Sequence, residues 1–258
     1  MKIAVLPLDI VAGDKKANLD AFAAGMDRLA TDTDLVVLPE LFSTGFTSDR
    51  ERMAELAESN GGDTMAMVGE MARRRNMAVC GSFLARTAGR IYNRAFFVEP
   101  SGDETYYDKR HLFSMSSESK ILTAGDSMPP IVRFRGWNIA LVVCYDLRFP
   151  VWCRSQQCSY DLLVVVANWP NSRSYAWTHL LKARAIENQA YVVGANRTGE
   201  DKFGDYSGMT VAVDFCGKEI AAAEGARAMY AELDKIALER WRNDFPVWRD
   251  ADSFDIRL

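Results

Sequence analysis

Residues 139–150 read IALVVCYDLRFP: five apolar residues, a cysteine, then charged and aromatic residues closed by a proline. From Trp137 to Cys144 the chain has the length and β-branched content of a strand. Its apolar run is unbroken rather than alternating, as expected of a strand covered on both faces. A thiol at the end of such a strand is held by a rigid sheet while its side chain meets a crevice, where α/β folds place their chemistry. Two other segments share this form: LVVLPELFSTGF (35–46), whose strand ends at Glu40, and YYDKRHLF (106–113), whose strand ends at Lys109.

Working outward, KIAVLPLDI (2–10) and DLLVVVAN (161–168) are further buried strands, and MAVCGSFLA (77–85), RIYNRAFFVE (90–99) and ETYYDK (104–109) form a strand-rich middle. YVVGAN, YSGMTVAVD, KEIAAA and AMYAELD continue the pattern after residue 190. Between them, Leu19, Phe22, Met26 and Leu29 fall at helical spacing. Asp63 is placed to cap a helix that turns Met65, Val68 and Ala72 inward and ends in Arg73 to Arg75. A short helix is expected after Pro150, a long one through SYAWTHLLKARAIENQA (174–190) and a last one near ALERWRN (237–243). The fold class is therefore α/β with a mixed sheet. With no repeat, low-complexity tract or linker-like stretch, residues 1–258 are expected to form a single domain.

Composition narrows the function. The chain is 48% hydrophobic and 26% charged with a net charge of -4, which gives no electrostatic reason to expect nucleic acid or an anionic membrane as partner. No apolar run approaches the roughly 18 residues needed to span a bilayer. Asp9 and Asp14 interrupt the N-terminal apolar stretch, which reads as a strand and not a signal peptide, so a cytoplasmic location is expected. Five cysteines (Cys80, Cys144, Cys153, Cys158 and Cys216) are an odd number, which argues against a disulfide framework. Cys153 and Cys158 are not a CxxC pair, and His111 and His179 lie far apart, so no metal site is expected.

The three strand-end motifs, in the order glutamate, lysine, cysteine, resemble the signature of the nitrilase superfamily of carbon–nitrogen hydrolases. The resemblance extends to ANWPNSR (167–173), LLKARAIENQAYVVGANRTG (180–199) and DFPVWRDADSF (244–254), nearly the whole chain. KRHLFSM, ANWP, ARAIENQ and GANRTG look most like the omega-amidase branch, which hydrolyses 2-oxo dicarboxylic acid monoamides such as 2-oxoglutaramate. The resemblance implies a four-layer α-β-β-α sandwich, a homodimer, a small-molecule amide as substrate and no cofactor. It also implies that Glu118, nine residues after Lys109, is a further glutamate of the site.

The expected chemistry follows from residue types. An amide is a poor electrophile, so a cysteine nucleophile that divides the reaction into two steps lowers the barrier. Glu40 is expected to take the thiol proton, pass it to departing ammonia and then activate water on a Cys144 thioester. Lys109 and the backbone N–H of Tyr145 are expected to face the developing oxyanion. A carboxylate-bearing substrate calls for a cation, with Arg173 preferred over Arg148, whose competing role is to pair with a carboxylate near the cysteine. Phe42, Met115, Trp169 and Tyr145 are expected as pocket walls. His111 is expected to pack or hydrogen-bond near the site, His179 to be structural, and the other four cysteines to be core or helix-face residues. The aromatic residues Phe245, Trp248 and Phe254 are expected to pack on the fold or on a second subunit.

Two rivals stay open on sequence alone. Another amidase of the same superfamily, acting on an N-carbamoyl amino acid, a polyamine or a deaminated tripeptide, would share Glu40, Lys109 and Cys144. A redox-sensing or binding protein would keep the fold without turnover.

Overall fold

A computed structural model describes residues 1–258. In chain order the elements are β1 (Lys2–Val5), α1 (Lys15–Asp27), β2 (Leu35–Val37), α2 (Arg50–Leu56), α3 (Asp63–Arg75), β3 (Ala78–Thr87), β4 (Arg90–Val98), β5 (Glu104–Asp108) and α4 (Glu118–Ile121). There follow β6 (Ile131–Phe134), β7 (Trp137–Val143), β8 (Leu162–Ala167), α5 (Ser174–Asn188), β9 (Tyr191–Asn196), β10 (Thr198–Asp201) and β11 (Gly204–Ser207). The chain ends with β12 (Thr210–Val213), β13 (Glu219–Ala223), β14 (Met229–Glu232) and α6 (Lys235–Asp244).

The strands form two six-stranded mixed sheets, ordered β14-β1-β2-β3-β4-β5 and β13-β12-β9-β8-β7-β6. Each has a parallel centre, β1-β2-β3 in one and β7-β8-β9 in the other, flanked by antiparallel strands. The period of two explains the layering. Ile3, Val5, Leu35 and Val37 point into the core shared with the second sheet, while Ala4, Val36 and Val79 point to the opposite face. There they meet Leu19, Phe22 and Met26 of the α1 region and Met65, Val68 and Ala72 of α3. On the far side Trp177, Leu181 and Ala185 of α5 cover the second sheet. The result is a four-layer α-β-β-α sandwich. β8, with all six residues buried, is the continuous apolar run expected of a central parallel strand.

Several local expectations are corrected. Asp63 is the first helical residue, not the cap: Gly62 is the N-cap and makes no side-chain bond. Asp14 does cap α1, accepting from the Ala17 N–H. At the end of α3, Arg74 pairs with Asp27 at 2.6 Å and Arg75 bonds the Leu29 carbonyl. No α-helix follows Pro150. Between Pro150 and β8 there is only a 3₁₀ turn at Gln156–Cys158, and another, Cys144–Arg148, precedes the proline. The stretch 206–214 is broken at Gly208, whose φ of +71° lies in the left-handed region: β11 ends at Ser207 and β12 starts at Thr210. Cys80 and Cys153 are buried, but Cys216 is exposed in the turn between β12 and β13.

Candidate active site

The C-terminal ends of β2, β5, β7 and β8 converge, and the side chains that follow them line one cavity of about 110 Å³. At the floor sit Glu40, Lys109 and Glu118, respectively 5%, 2% and 5% exposed. The Lys109 ammonium donates to Glu40 Oε1 at 2.9 Å and to Glu118 Oε1 at 2.8 Å. Glu40 is fixed further by the Asn93 amide, which donates to Oε1 at 2.7 Å, and by the Asn168 N–H, which donates to Oε2 at 2.8 Å. Glu118 Oε2 accepts the Phe113 N–H at 2.6 Å, which folds the chain after β5 back over the lysine. Two carboxylates on one ammonium, each with a further donor, is the arrangement in which a buried charge is tolerated.

Cys144 follows β7 with a φ of +46°, in the left-handed region that L residues avoid outside special turns. The extended Val143 before it and the 3₁₀ turn after it make a sharp elbow that lifts the thiol out of the sheet. Burial pushes the Cys144 thiol up, the Glu40 charge adds to this, and Lys109 pulls the other way, leaving the thiol well above its ordinary range. The neutral thiol is thus the favoured form beside the Glu40 carboxylate. Burial alone lowers the Lys109 ammonium, but the Glu118 and Glu40 carboxylates outweigh it and hold it well above its ordinary value.

The flanking motifs hold this geometry. In α5, Arg184 donates to the Leu147 carbonyl at 2.7 Å and pairs with Glu187, while Asn188 accepts the Ser155 N–H. The ARAIEN block thus braces the chain that leaves the elbow. At the end of β9, Asn196 Oδ1 accepts the Trp169 N–H and its amide donates to the Trp169 carbonyl, clamping the NWP turn.

Of the expected pocket residues, Tyr145, Trp169 and Arg173 line the cavity. Phe42 does not. Leu41, at φ +47°, turns the chain so that Phe42 is wholly buried on the helix side of the first sheet, between Phe22 and Phe96. Met115 is also corrected: it is 75% exposed, because the turn that returns Glu118 to Lys109 points it outward. Arg148 pairs with no carboxylate. It lies 4.7 Å over the Trp169 ring and lines the cavity, as does Arg173, 5.3 Å over Phe113. Neither guanidinium makes an ion pair or a side-chain hydrogen bond within the chain.

One whole wall of the cavity is built from residues outside the sequence expectations. Phe46 comes from the loop after β2, and Asp201, Phe203 and Tyr206 come from the β10–β11 hairpin. The Phe46 and Phe203 rings pack at a tilt with centroids 5.6 Å apart, and the buried Arg197 holds Asp201 at 3.0 Å. The only signal in the sequence was Arg197 within GANRTG, an unusual charge directly after a buried strand. His111 bonds Asp146 and stacks on Phe149, whereas His179 is exposed and stacks on Tyr175 of its own helix.

Comparison with known proteins agrees with this architecture. The carbon-nitrogen hydrolase family model matches residues 2–243. Omega-amidase YafV of Escherichia coli (strain K12) is 42% identical over 257 residues, covering 98% of both chains. The 2-oxoglutaramate amidase of Bacillus subtilis (strain 168) is 31% identical over 254 residues, covering 96% of each. The crystal structure of XC1258 from Xanthomonas campestris, a CN-hydrolase superfamily protein with an arsenic adduct in its active site, superposes with a TM-score of 0.95. It is 36% identical to this chain, with 100% of this chain and 99% of that one covered.

Proposed function

This chain belongs to the carbon–nitrogen hydrolase family and is an amidase, and we propose that it releases ammonia from small 2-oxo dicarboxylic acid monoamides such as 2-oxoglutaramate and 2-oxosuccinamate. In this reading the substrate amide carbon lies against Cys144 Sγ. The sulfur attacks as Glu40 takes the thiol proton, and a tetrahedral oxyanion forms. Lys109 and the Tyr145 N–H stabilise it with donors already in place, which in such sites is worth about 10²–10³-fold per donor. The C–N bond breaks as Glu40 returns the proton to nitrogen, ammonia leaves, and a thioester remains on Cys144. Water then attacks the thioester, gives its proton to Glu40, and the carboxylic acid departs as the thiol is restored. Glu118 keeps Lys109 oriented and charged.

The observation that carries the substrate class is the pair of guanidiniums, Arg148 and Arg173, that line the triad's cavity without a carboxylate partner. Unpaired cations at a cavity wall favour an anionic ligand, and a planar guanidinium suits a carboxylate. The cavity is well below the roughly 300–1,000 Å³ of drug-sized sites, which fits a substrate of few carbons. Trp169 and Tyr145 supply its flat walls. A single continuous domain, homodimeric assembly and a cytoplasmic site of action belong to the same proposal; sedimentation velocity at micromolar concentration tests the dimer.

The experiment is a panel: 2-oxoglutaramate, 2-oxosuccinamate, glutamine and N-carbamoyl-β-alanine, assayed for ammonia with Cys144→Ala as control. Activity confined to the 2-oxo amides and absent in the variant is the expected result. Turnover of the carbamoyl compound alone would move the protein to another branch with the same catalytic residues.

A further inference from the structure

Asp146 is completely buried two residues beyond the elbow cysteine, and it has no lysine or arginine partner. Four donors converge on its carboxylate. Oδ2 accepts the Tyr107 hydroxyl at 2.9 Å and the Val143 N–H at 3.1 Å. Oδ1 accepts the His111 N–H at 2.9 Å and faces His111 Nδ1 at 2.8 Å, so the ring nitrogen there is the donor. The Tyr107 hydroxyl in turn accepts the Arg110 N–H and the Trp152 indole N–H. The ring of His111 is fixed by stacking on Phe149 at 3.8 Å and meeting Trp152 edge-on.

These partners bracket the two reactive side chains. Tyr107, Arg110 and His111 surround Lys109, and Val143 immediately precedes Cys144. Lys109 follows β5 of one sheet and Cys144 follows β7 of the other, and the two strands share no ladder hydrogen bond. No backbone ladder therefore sets the distance between ammonium and thiol. We infer that Asp146 and His111 are a positioning pair that locks the Lys109 segment to the Cys144 elbow, and so sets the geometry in which the thiol reacts. The choice of carboxylate follows from its acceptor-only character: it serves all four donors, whereas an asparagine would turn an NH₂ toward two of them. The bond back to Val143 N–H also closes the elbow that holds Cys144 at its positive φ.

The inference rests on the reading of Cys144 as nucleophile, so its test includes a readout free of amide substrate. In His111→Leu the ring's space stays filled but the side-chain donor is lost; in His111→Asn the amide nitrogen occupies the place of Nδ1 and keeps it. For each, kcat and KM for 2-oxoglutaramate would be measured with the iodoacetamide alkylation rate of the Cys144 peptide, read by mass spectrometry, and the Tm. Small misplacements of a reacting group cost up to about 100-fold. His111→Leu is expected to lose about tenfold or more in kcat and in Cys144 alkylation, with KM within about twofold and little change in Tm. His111→Asn is expected to recover most of both rates. Unchanged rates in His111→Leu, or equal losses in His111→Asn, would overturn the inference. If His111→Leu does not fold, Tyr107→Phe, which deletes another donor to Asp146, makes the same comparison on kcat and alkylation. Failure of the nucleophile reading would be distinct: Cys144→Ala would then retain ammonia release.

Discussion

Replacing Lys109 by methionine keeps the side chain's length and removes its charge, leaving Glu40 and Glu118 buried and facing one another. Both carboxylates bond the ammonium, at 2.9 and 2.8 Å, in a region where none of the three residues is more than 5% exposed. Deleting one partner of a buried ion pair typically costs about 3–5 kcal/mol, chiefly because the remaining charge is left uncompensated. For a chain of this size 1 kcal/mol moves Tm by about 2–4 °C, so Lys109→Met is expected to melt roughly 6–20 °C lower at pH 8. The added substitution Glu118→Gln removes one stranded charge and places an amide where it donates toward Glu40, so the double variant is expected to regain about 1–3 kcal/mol. Acid offers a second check. The folded variant takes up a proton on its stranded carboxylates more readily than the unfolded chain does, so its stability rises as pH falls from 8 to 5.5. Urea unfolding of parent, single and double variants at both pH values measures this. A Lys109→Met chain within 1 kcal/mol of the parent at pH 8, with no gain on acidification, would refute the ion cluster as drawn.

Arg173→Ala is expected to lower kcat/KM for 2-oxoglutaramate about 10–100-fold, the worth of a charged hydrogen bond of about 1.5–3 kcal/mol. Arg148→Ala is expected to act in the same direction; steady-state ammonia release in which both variants match the parent would remove the carboxylate site. Raised pKa values also predict an alkaline limit. Burial pushes the Cys153 thiol up to about 12, and Cys80 is raised further. Their protonated forms are favoured in the folded chain, so this stability is intact below the unfolded thiol value of about 9 and is lost as pH rises above it. At pH 10 each thiol costs about 1.4 kcal/mol relative to pH 7, and urea midpoints that stay flat over that range would contradict the burial of both.

Much of the site was legible because covalent order and local period carry it. Cys144 directly follows an apolar strand buried on both faces, Glu40 lies three residues past another, and Lys109 directly follows the half-exposed edge strand β5, so each comes where a polar side chain can leave the sheet. Asp63 failed as a cap because Gly62, with its own extended backbone, already occupies that position. The helix expected after Pro150 failed because Arg184 and Asn188 of a distant helix, rather than local periodicity, organise that segment.

By itself the sequence determined the α/β class and most of the strands, and placed Glu40, Lys109 and Cys144 just past strands, since each of these depends on neighbours within a few positions. The tertiary structure alone decided which side chains face the cavity. Leu41's left-handed turn sends Phe42 to the opposite face of the sheet, and the return of Glu118 to Lys109 sends Met115 into solvent. The β10–β11 hairpin brings Phe203 and Tyr206 from more than 150 residues beyond Glu40 to complete the wall. Direction at a strand end is set by the turn that follows and by the layer packed against it, and neither is encoded in the spacing of apolar residues.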